Sequence, residues 1–315
     1  MAIAAHTVLQ LGLLYGIATL SGVVSFRFLR FPDLTVDGSF VLGATVTAIS
    51  IRNGVDPLLA VLLAVVAGFL AGIITAIWHR AFGINKFFAG ILTMMMLYSV
   101  NLRVIGGANI SLLNERSLFE SNTSWHVSGL TVASFGLAAI IVGILFCSRL
   151  GLQIRAIGSN RDALGFTGRR LTVLTMLGLG FANALAAVSG SLIAQYQRFA
   201  DVGMGLGIIV NIFASLFLGE VLAVLLLSSA LFVFNSTAFA QTQSRYSTGA
   251  YAIGGELMSA GLGMVAFMAI ITATLYLGLE PSDTKICAAL LLCISLIWRR
   301  AGKSSFLVVP GEYEK

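Results

Sequence analysis

Three consecutive stretches decide the fold: GLTVASFGLAAIIVGILFCS (residues 129–148), RLGLQIRAIGSNRDALGFTGRR (149–170) and LTVLTMLGLGFANALAAVSGSLIAQYQ (171–197). The first and last carry no Asp, Glu, Lys or Arg, and each is long enough for a bilayer crossing of about 20 apolar residues. Between them, the loop 148–170 sets five arginines (Arg149, Arg155, Arg161, Arg169, Arg170) against one acid, Asp162. In a chain that is only 10% charged, that concentration orients the loop to the cytoplasm by the positive-inside rule.

The rest of the chain repeats the theme. Hydrophobic residues make up 58% of it and the mean hydropathy is +0.96, which excludes a soluble domain of this length. Further uncharged runs lie at 57–78, 202–219, 221–244 and 257–279, with shorter ones at 38–51, 87–102 and 286–298. The first 26 residues hold no charge beyond His6. They lack a basic stretch ahead of the apolar core, so they read as a retained helix rather than a cleavable leader. The expectation is an all-α, polytopic transmembrane bundle of about nine spans (eight to ten), one permease domain over 1–315 with a cytoplasmic loop at 148–170. Residues 202–244 read as one long helix, two spans, or a span plus a re-entrant piece. The alternation of a membrane barrel is absent. Small-xxx-small spacings, Gly68-Phe-Leu-Ala-Gly72 and Gly178-Leu-Gly-Phe-Ala182, suit close helix packing.

Basic residues follow alternate spans: Arg27 and Arg30, then His79, Arg80 and Lys86, then the loop arginines, then Arg299, Arg300 and Lys303. Placing all four groups inside puts the N-terminus and the loop 106–128 outside. The net charge of +6 is thus a topology signal, not a nucleic-acid surface.

No enzymatic constellation stands out. Cys147, Cys287 and Cys293 match no metal or redox spacing, and His6, His79 and His126 are scattered. No Gly-x-x-x-x-Gly-Lys-Ser/Thr loop is present, so ATP hydrolysis is not expected on this chain. The expected catalytic, metal and cofactor sets are empty.

Three groups of residues rise above lipid-facing packing. Phe31-Pro-Asp-Leu-Thr-Val-Asp-Gly-Ser-Phe40 places Asp33 and Asp37 at the junction of the first two spans, near the inner face. These acids either cap the following helix or line a pathway, with Arg27 or Arg30 as candidate charge partners. Asn101, Asn183, Gln195 and Asn211 sit inside apolar spans, where they either bond between helices or line a polar path. Glu220 and Glu256 stand alone between apolar stretches and are expected at the interface. Finally, Leu150, Ile154 and Ile157 recur at helical spacing in the basic loop, punctuated by Gly151, Gly158, Gly165 and Gly168. That pattern suits a helix pressed into a partner's groove, as against a plain topology signal.

The stretch Gly151-Leu-Gln-Ile-Arg-Ala-Ile-Gly-Ser-Asn-Arg-Asp-Ala163, with Gly165, resembles the cytoplasmic loop of permease subunits in bacterial ABC importers of the branched-chain amino acid type. The resemblance assigns ATPase coupling to Gly151, Arg155, Ala156, Gly158, Asn160, Ala163 and Gly165. The 31–39 stretch, Asn85-Lys-Phe-Phe-Ala-Gly-Ile-Leu-Thr-Met-Met-Met96 and the 183–197 stretch look like the tryptophan/tyrosine-type branch. What this implies is a permease subunit moving a small solute, an amino acid or a related molecule, into the cytoplasm across a bacterial inner membrane. Implied partners are an ABC ATPase that binds ATP and Mg, a periplasmic or lipoprotein solute-binding protein, and a second permease copy. The alternative is a stand-alone secondary transporter or channel, which would show intramembrane charges or paired broken helices. A membrane-embedded enzyme ranks third.

Overall fold

The computed structural model describes residues 2–120, 124–159, 171–232, 250–278, 280 and 283–301. Among them run α1 (Ala2–Gly22), a π-helical continuation (Val23–Phe28), α2 (Thr35–Arg52), α3 (Pro57–Arg80), α4 (Lys86–Ile105), β1 (Asn109–Ser111) and α5 (Ser124–Cys147). Then follow α6 (Arg149–Ser159), α7 (Leu171–Gln197), β2 (Phe199–Asp201), α8 (Ile208–Phe232), α9 (Ala250–Tyr276) and α10 (Thr284–Ala301). The helical bundle is as expected.

Six described helical stretches are long and apolar enough to cross a membrane: Ala5–Phe28, Pro57–Arg80, Lys86–Ile105, His126–Cys147, Leu171–Gln197 and Ile253–Tyr276. That is fewer than the nine expected. Helix α2 shows why composition misleads here. It is enclosed by protein, with 14 of its 18 residues buried, so it has no lipid to match and carries threonines, serine and Asp37. Helix α3 is the reverse: Leu58, Leu62, Val66 and Leu70 are more than half exposed, as a lipid-facing stripe requires.

Helix ends follow local chemistry. Asp56 caps α3, its Oδ1 accepting from Leu58 N–H (2.9 Å) ahead of Pro57 at the first position. Asn85 caps α4 in the same way through Phe87 N–H (3.0 Å). Helix α4 stops at Gly106, whose φ of 73° is the left-handed turn glycine adopts without strain.

The core lies where α2, α3 and α7 cross. A Cβ on Gly68 or Gly72 of α3 would run into the Asn183 and Leu179 carbonyls of α7, and one on Gly43 or Gly190 would strike the facing backbone of α7 or α2. The small-xxx-small spacing of α3 is therefore a packing contact with α7, while Gly178 of α7 packs against Leu29 and Ile154. Opposite them, α8 and α9 cross through Gly219 and Gly263, which meet the Ser259 and Ser215 carbonyls.

A feature the all-α expectation lacked is a two-stranded antiparallel ribbon. Asn109 pairs with Asp201, Ile110 with Ala200 and Ser111 with Phe199. It joins the loops after α4 and α7, and Ile110, Leu112, Ala200 and Val202 bury against Ala44, Ala48 and Ile51 of α2.

Candidate functional site

The basic end of the bundle is assembled by direct contacts. Arg80 donates from Nε and Nη2 to Thr175 Oγ1 (3.2 and 3.1 Å), joining the end of α3 to the start of α7. Lys86 Nζ donates to Arg30 O (2.9 Å) and stands 5.7 Å from the Phe31 ring centre. The groups Arg27/Arg30 and His79/Arg80/Lys86 therefore share one end, where α6 with Arg149 and Arg155 also lies; Arg161, Arg169, Arg170 and Lys303 fall outside the described residues.

Helix α6 lies across this end. Two of its three apolar repeat positions face its own bundle: Ile154 and Ile157 are buried, with Ile154 against Gly178 of α7, while Leu150 is exposed. Gly151 sits against Leu145 O and Phe146, and Gly158 against Phe28 O and Leu29, where any Cβ would collide. The groove filled by Ile154 and Ile157 thus belongs to this chain, which corrects the reading of that face. The surface left for another protein is Arg149, Leu150 and Leu152, all exposed, beside half-buried Arg155 and Ala156. Leu152 was overlooked; as a leucine out of register with 150, 154 and 157, it carried the signal. Arg155 Nε is buried without a hydrogen bond. Asn160, Ala163 and Gly165 fall outside the described residues.

The interior holds a buried polar chain. Asn183 is fully buried on α7; its Nδ2 donates to Asp33 Oδ2 (2.7 Å) and Leu179 O (3.0 Å), while its Oδ1 accepts from Ser39 Oγ (2.7 Å). Asp33 Oδ1 accepts from the N–H of Thr35 (2.9 Å), the first residue of α2. Thr35 Oγ1 lies 2.7 Å from Thr75 Oγ1, which donates to Thr93 Oγ1 (2.9 Å). One network thereby ties α2, α3, α4 and α7. Because Asn183 is near the middle of α7, Asp33 lies deeper than the inner-face position expected for it.

Asp37 does something different from its neighbour. It does not cap its own helix; its two oxygens accept from Gly207 N–H (3.1 Å) and Ile209 N–H (2.9 Å), capping α8 from across the bundle. Residues 202–207 descend from the strand ribbon to this point, and a Cβ on Gly205 would meet Asp37 O. Non-helical backbone is tolerated at membrane depth only where protein or water satisfies it, and Asp37 supplies that satisfaction. Helix α8 consequently begins inside the bundle, with half-buried Asn211 on its first turn. Of the range 202–244, residues 202–207 are non-helical and 208–232 form one continuous helix, while 233–244 lie outside the described residues.

The other amides are placed separately. Asn101 Nδ2 donates to Gly38 O (3.4 Å). Gln195 accepts from Leu118 N–H (3.1 Å) and donates to Pro57 O (3.3 Å), fastening the 112–119 loop at the ribbon end. Glu220 and Glu256 do not stand alone: both ion-pair with Arg27. Sequence spacing could not bring residues some 200 positions apart together. Among the described residues, no group of three His, Cys, Asp or Glu could hold a metal.

Replacing Asp33 or Asp37 by Asn exchanges one acceptor oxygen for a donor facing an existing N–H donor, at about 1–3 kcal/mol per mismatched buried group. Either change is expected to lower assembly or transport well below that of Glu120→Gln in the exposed loop. Equal, negligible effects in a side-by-side uptake assay would refute the assignment.

Comparison with known proteins adds an independent line. A family model described as "Branched-chain amino acid transport system / permease component" matches residues 4–271. A tyrosine transport system permease protein of Clostridioides difficile is 33% identical over 285 residues, covering 89% of this chain and 95% of the relative. An uncharacterized protein of Rickettsia prowazekii is 34% identical over 275 residues, 87% and 89% of the two chains. A fructose import permease protein of Bifidobacterium longum is 24% identical over 167 residues, about half of each chain (50% and 46%). No solved structure matches.

Proposed function

The chain belongs to the branched-chain amino acid transport system permease family, and on that premise we propose that it is the membrane subunit of an ATP-driven ABC importer. It is a multi-pass transport component. Two copies form the translocating unit in a bacterial inner membrane, with the N-terminus outside. Helices α2, α8 and α10 complete nine crossings alongside the six apolar ones. A partner ATPase, holding ATP and Mg, docks on the basic end. A periplasmic or lipid-anchored binding protein delivers solute to the ribbon end. An amino acid is the favoured solute class, since the relative covering nearly the whole chain is named for tyrosine and the one named for fructose covers half.

One observation carries the docking assignment: a short helix, α6, is seated by two Cβ-intolerant glycines on the basic end and leaves Leu150, Leu152 and Arg149 uncovered. An exposed apolar pair flanked by arginine outside the lipid suits a protein groove. Energy from ATP reaches the bundle only if α6 has positions that differ in ATPase contact, which is the differential interaction coupling requires.

Arg155→Glu removes a planar multi-donor cation that lysine does not reproduce, and Gly158→Val drives a branched side chain into Phe28 O. Both are expected to cut solute-stimulated ATP hydrolysis by about tenfold or more, in the range of ordinary coupling energies, while the bundle still folds. ATPase recovery on affinity purification and uptake in proteoliposomes check this. Normal values for both mutants would return the loop to a topology signal. A stand-alone carrier would instead transport with no ATPase present.

A further inference from the structure

Helix α1 does not end as an α-helix. Residues Val23–Phe28 wind as a π-helix, Leu29 N–H reaches back to Val24 O (3.1 Å) and Phe31 N–H to Ser25 O (2.9 Å). Arg30 follows at φ 48°, a left-handed backbone that a non-glycine residue adopts only when its surroundings hold it. π-Helical turns are rare and concentrate at functional positions.

This elbow touches α5, α6, α7, α8 and α9. Phe28 O and Leu29 form the seat for Gly158 of α6, and Leu29 packs on Gly178 of α7. The Phe28 ring meets Phe146 at the end of α5 (4.5 Å between centres) and Phe26 meets Phe213 of α8 (4.4 Å). Ile212 of α8 fills the space beside Gly22. Arg27 binds Glu220 of α8 and Glu256 of α9 at once, with all three side chains less than one-fifth exposed. Such a buried ionic triad adds little net stability compared with apolar packing, but breaking it is expensive, so it favours one relative placement of its helices.

We propose that the elbow at 23–30 transmits displacement of α6 to α8 and α9, with Arg27 as the positioning residue that makes elbow, α8 and α9 move as one body. This rests on the importer reading and adds where the α6 movement goes. The ion pairs supply direction: α8 starts at Asp37 inside the bundle, so pulling on its Glu220 shifts the helix whose first turn borders the interior.

The test uses the full transporter, with its ATPase and binding protein, in proteoliposomes. Arg27→Gln is expected to leave ATPase recovery unchanged while the ratio of solute-stimulated to basal hydrolysis falls by about tenfold, the size of a typical coupling. Arg27→Lys, which keeps the charge, should restore most of the ratio. Unchanged stimulation in Arg27→Gln overturns the proposal, as does loss of the ATPase from that variant. Failure of the unaltered chain to recover any ATPase instead defeats the importer reading itself. A second variant keeps the charges intact: Phe26→Cys with Phe213→Cys, the native cysteines replaced by serine, bridged by a short bifunctional thiol reagent. One rigid body predicts continued transport after bridging; arrest overturns the proposal.

Discussion

Asn183→Leu is expected to produce the largest loss of stability of any single polar replacement in the described bundle. Leucine fills a similar volume but returns none of the three bonds, leaving the Asp33 carboxylate and the Ser39 hydroxyl buried without their Asn183 partner. Each orphaned buried group costs about 1–3 kcal/mol and a charged one more, so a loss of at least about 3 kcal/mol follows. Asn183→Asp should also destabilise, because it replaces the amide donor with a second carboxyl group 2.7 Å from Asp33, where ionisation of both is strongly disfavoured. Ser39→Ala removes one bond and should cost about 1 kcal/mol. Asn211→Leu, at a half-buried position, is the control and should unfold close to wild type. Thermal unfolding in detergent followed by tryptophan fluorescence reads all four. An Asn183→Leu melt no lower than that of Asn211→Leu would show that the network does not hold α2 to α7.

Gly190→Leu is expected to abolish recovery of folded protein. At this point α7 approaches α2 so closely that a Cβ on Gly190 would lie 1.9 Å from Phe40 O, and one on Gly43 would lie 2.0 Å from Ala187 O. The obstruction is backbone on both sides, so rotamer adjustment offers no escape and the helices must separate. Their separation would also pull apart Thr47 of α2 and Ser191, the residue after Gly190, bonded at 2.6 Å. Overpacking in closely packed interiors costs about 1–3 kcal/mol even where side chains can yield. Gly190→Ala should already lie at or beyond the upper end of that range. Gly136 of α5 supplies the contrast: nothing lies within 4 Å of its Cβ position, so Gly136→Ala gains helix propensity of up to about 1 kcal/mol. Size-exclusion profiles of the three variants give the comparison. A monodisperse Gly190→Leu peak at wild-type yield would mean that α2 and α7 tolerate separation.

These outcomes separate two kinds of polar residue that look alike in the sequence. Asp33 and Asp37 stand four residues apart, yet one binds the first amide of its own helix and the other caps a helix about 170 residues later. Gln195 fastens an outer loop, whereas Asn183 fastens the centre. The difference lies in which element arrives opposite each side chain, and hydropathy does not encode that.

What the chain determined by itself was the class and the two ends. Uncharged runs of 20 residues or more cannot remain in water, and arginines cannot enter hydrocarbon cheaply, so membrane helices and a shared basic end follow from residue solvation alone. The glycine spacing of α3 and α7 likewise announced close crossings, because a missing side chain is visible in one dimension. Tertiary structure alone decided the rest. It buried α2 away from lipid, started α8 at Asp37 inside the bundle, turned Ile154 and Ile157 inward, and brought Glu220 and Glu256 to Arg27. The reason is physical: transfer energies act on each residue wherever it stands, whereas capping, ion pairing and the choice between lipid and protein neighbours depend on which distant segment comes within a few ångströms.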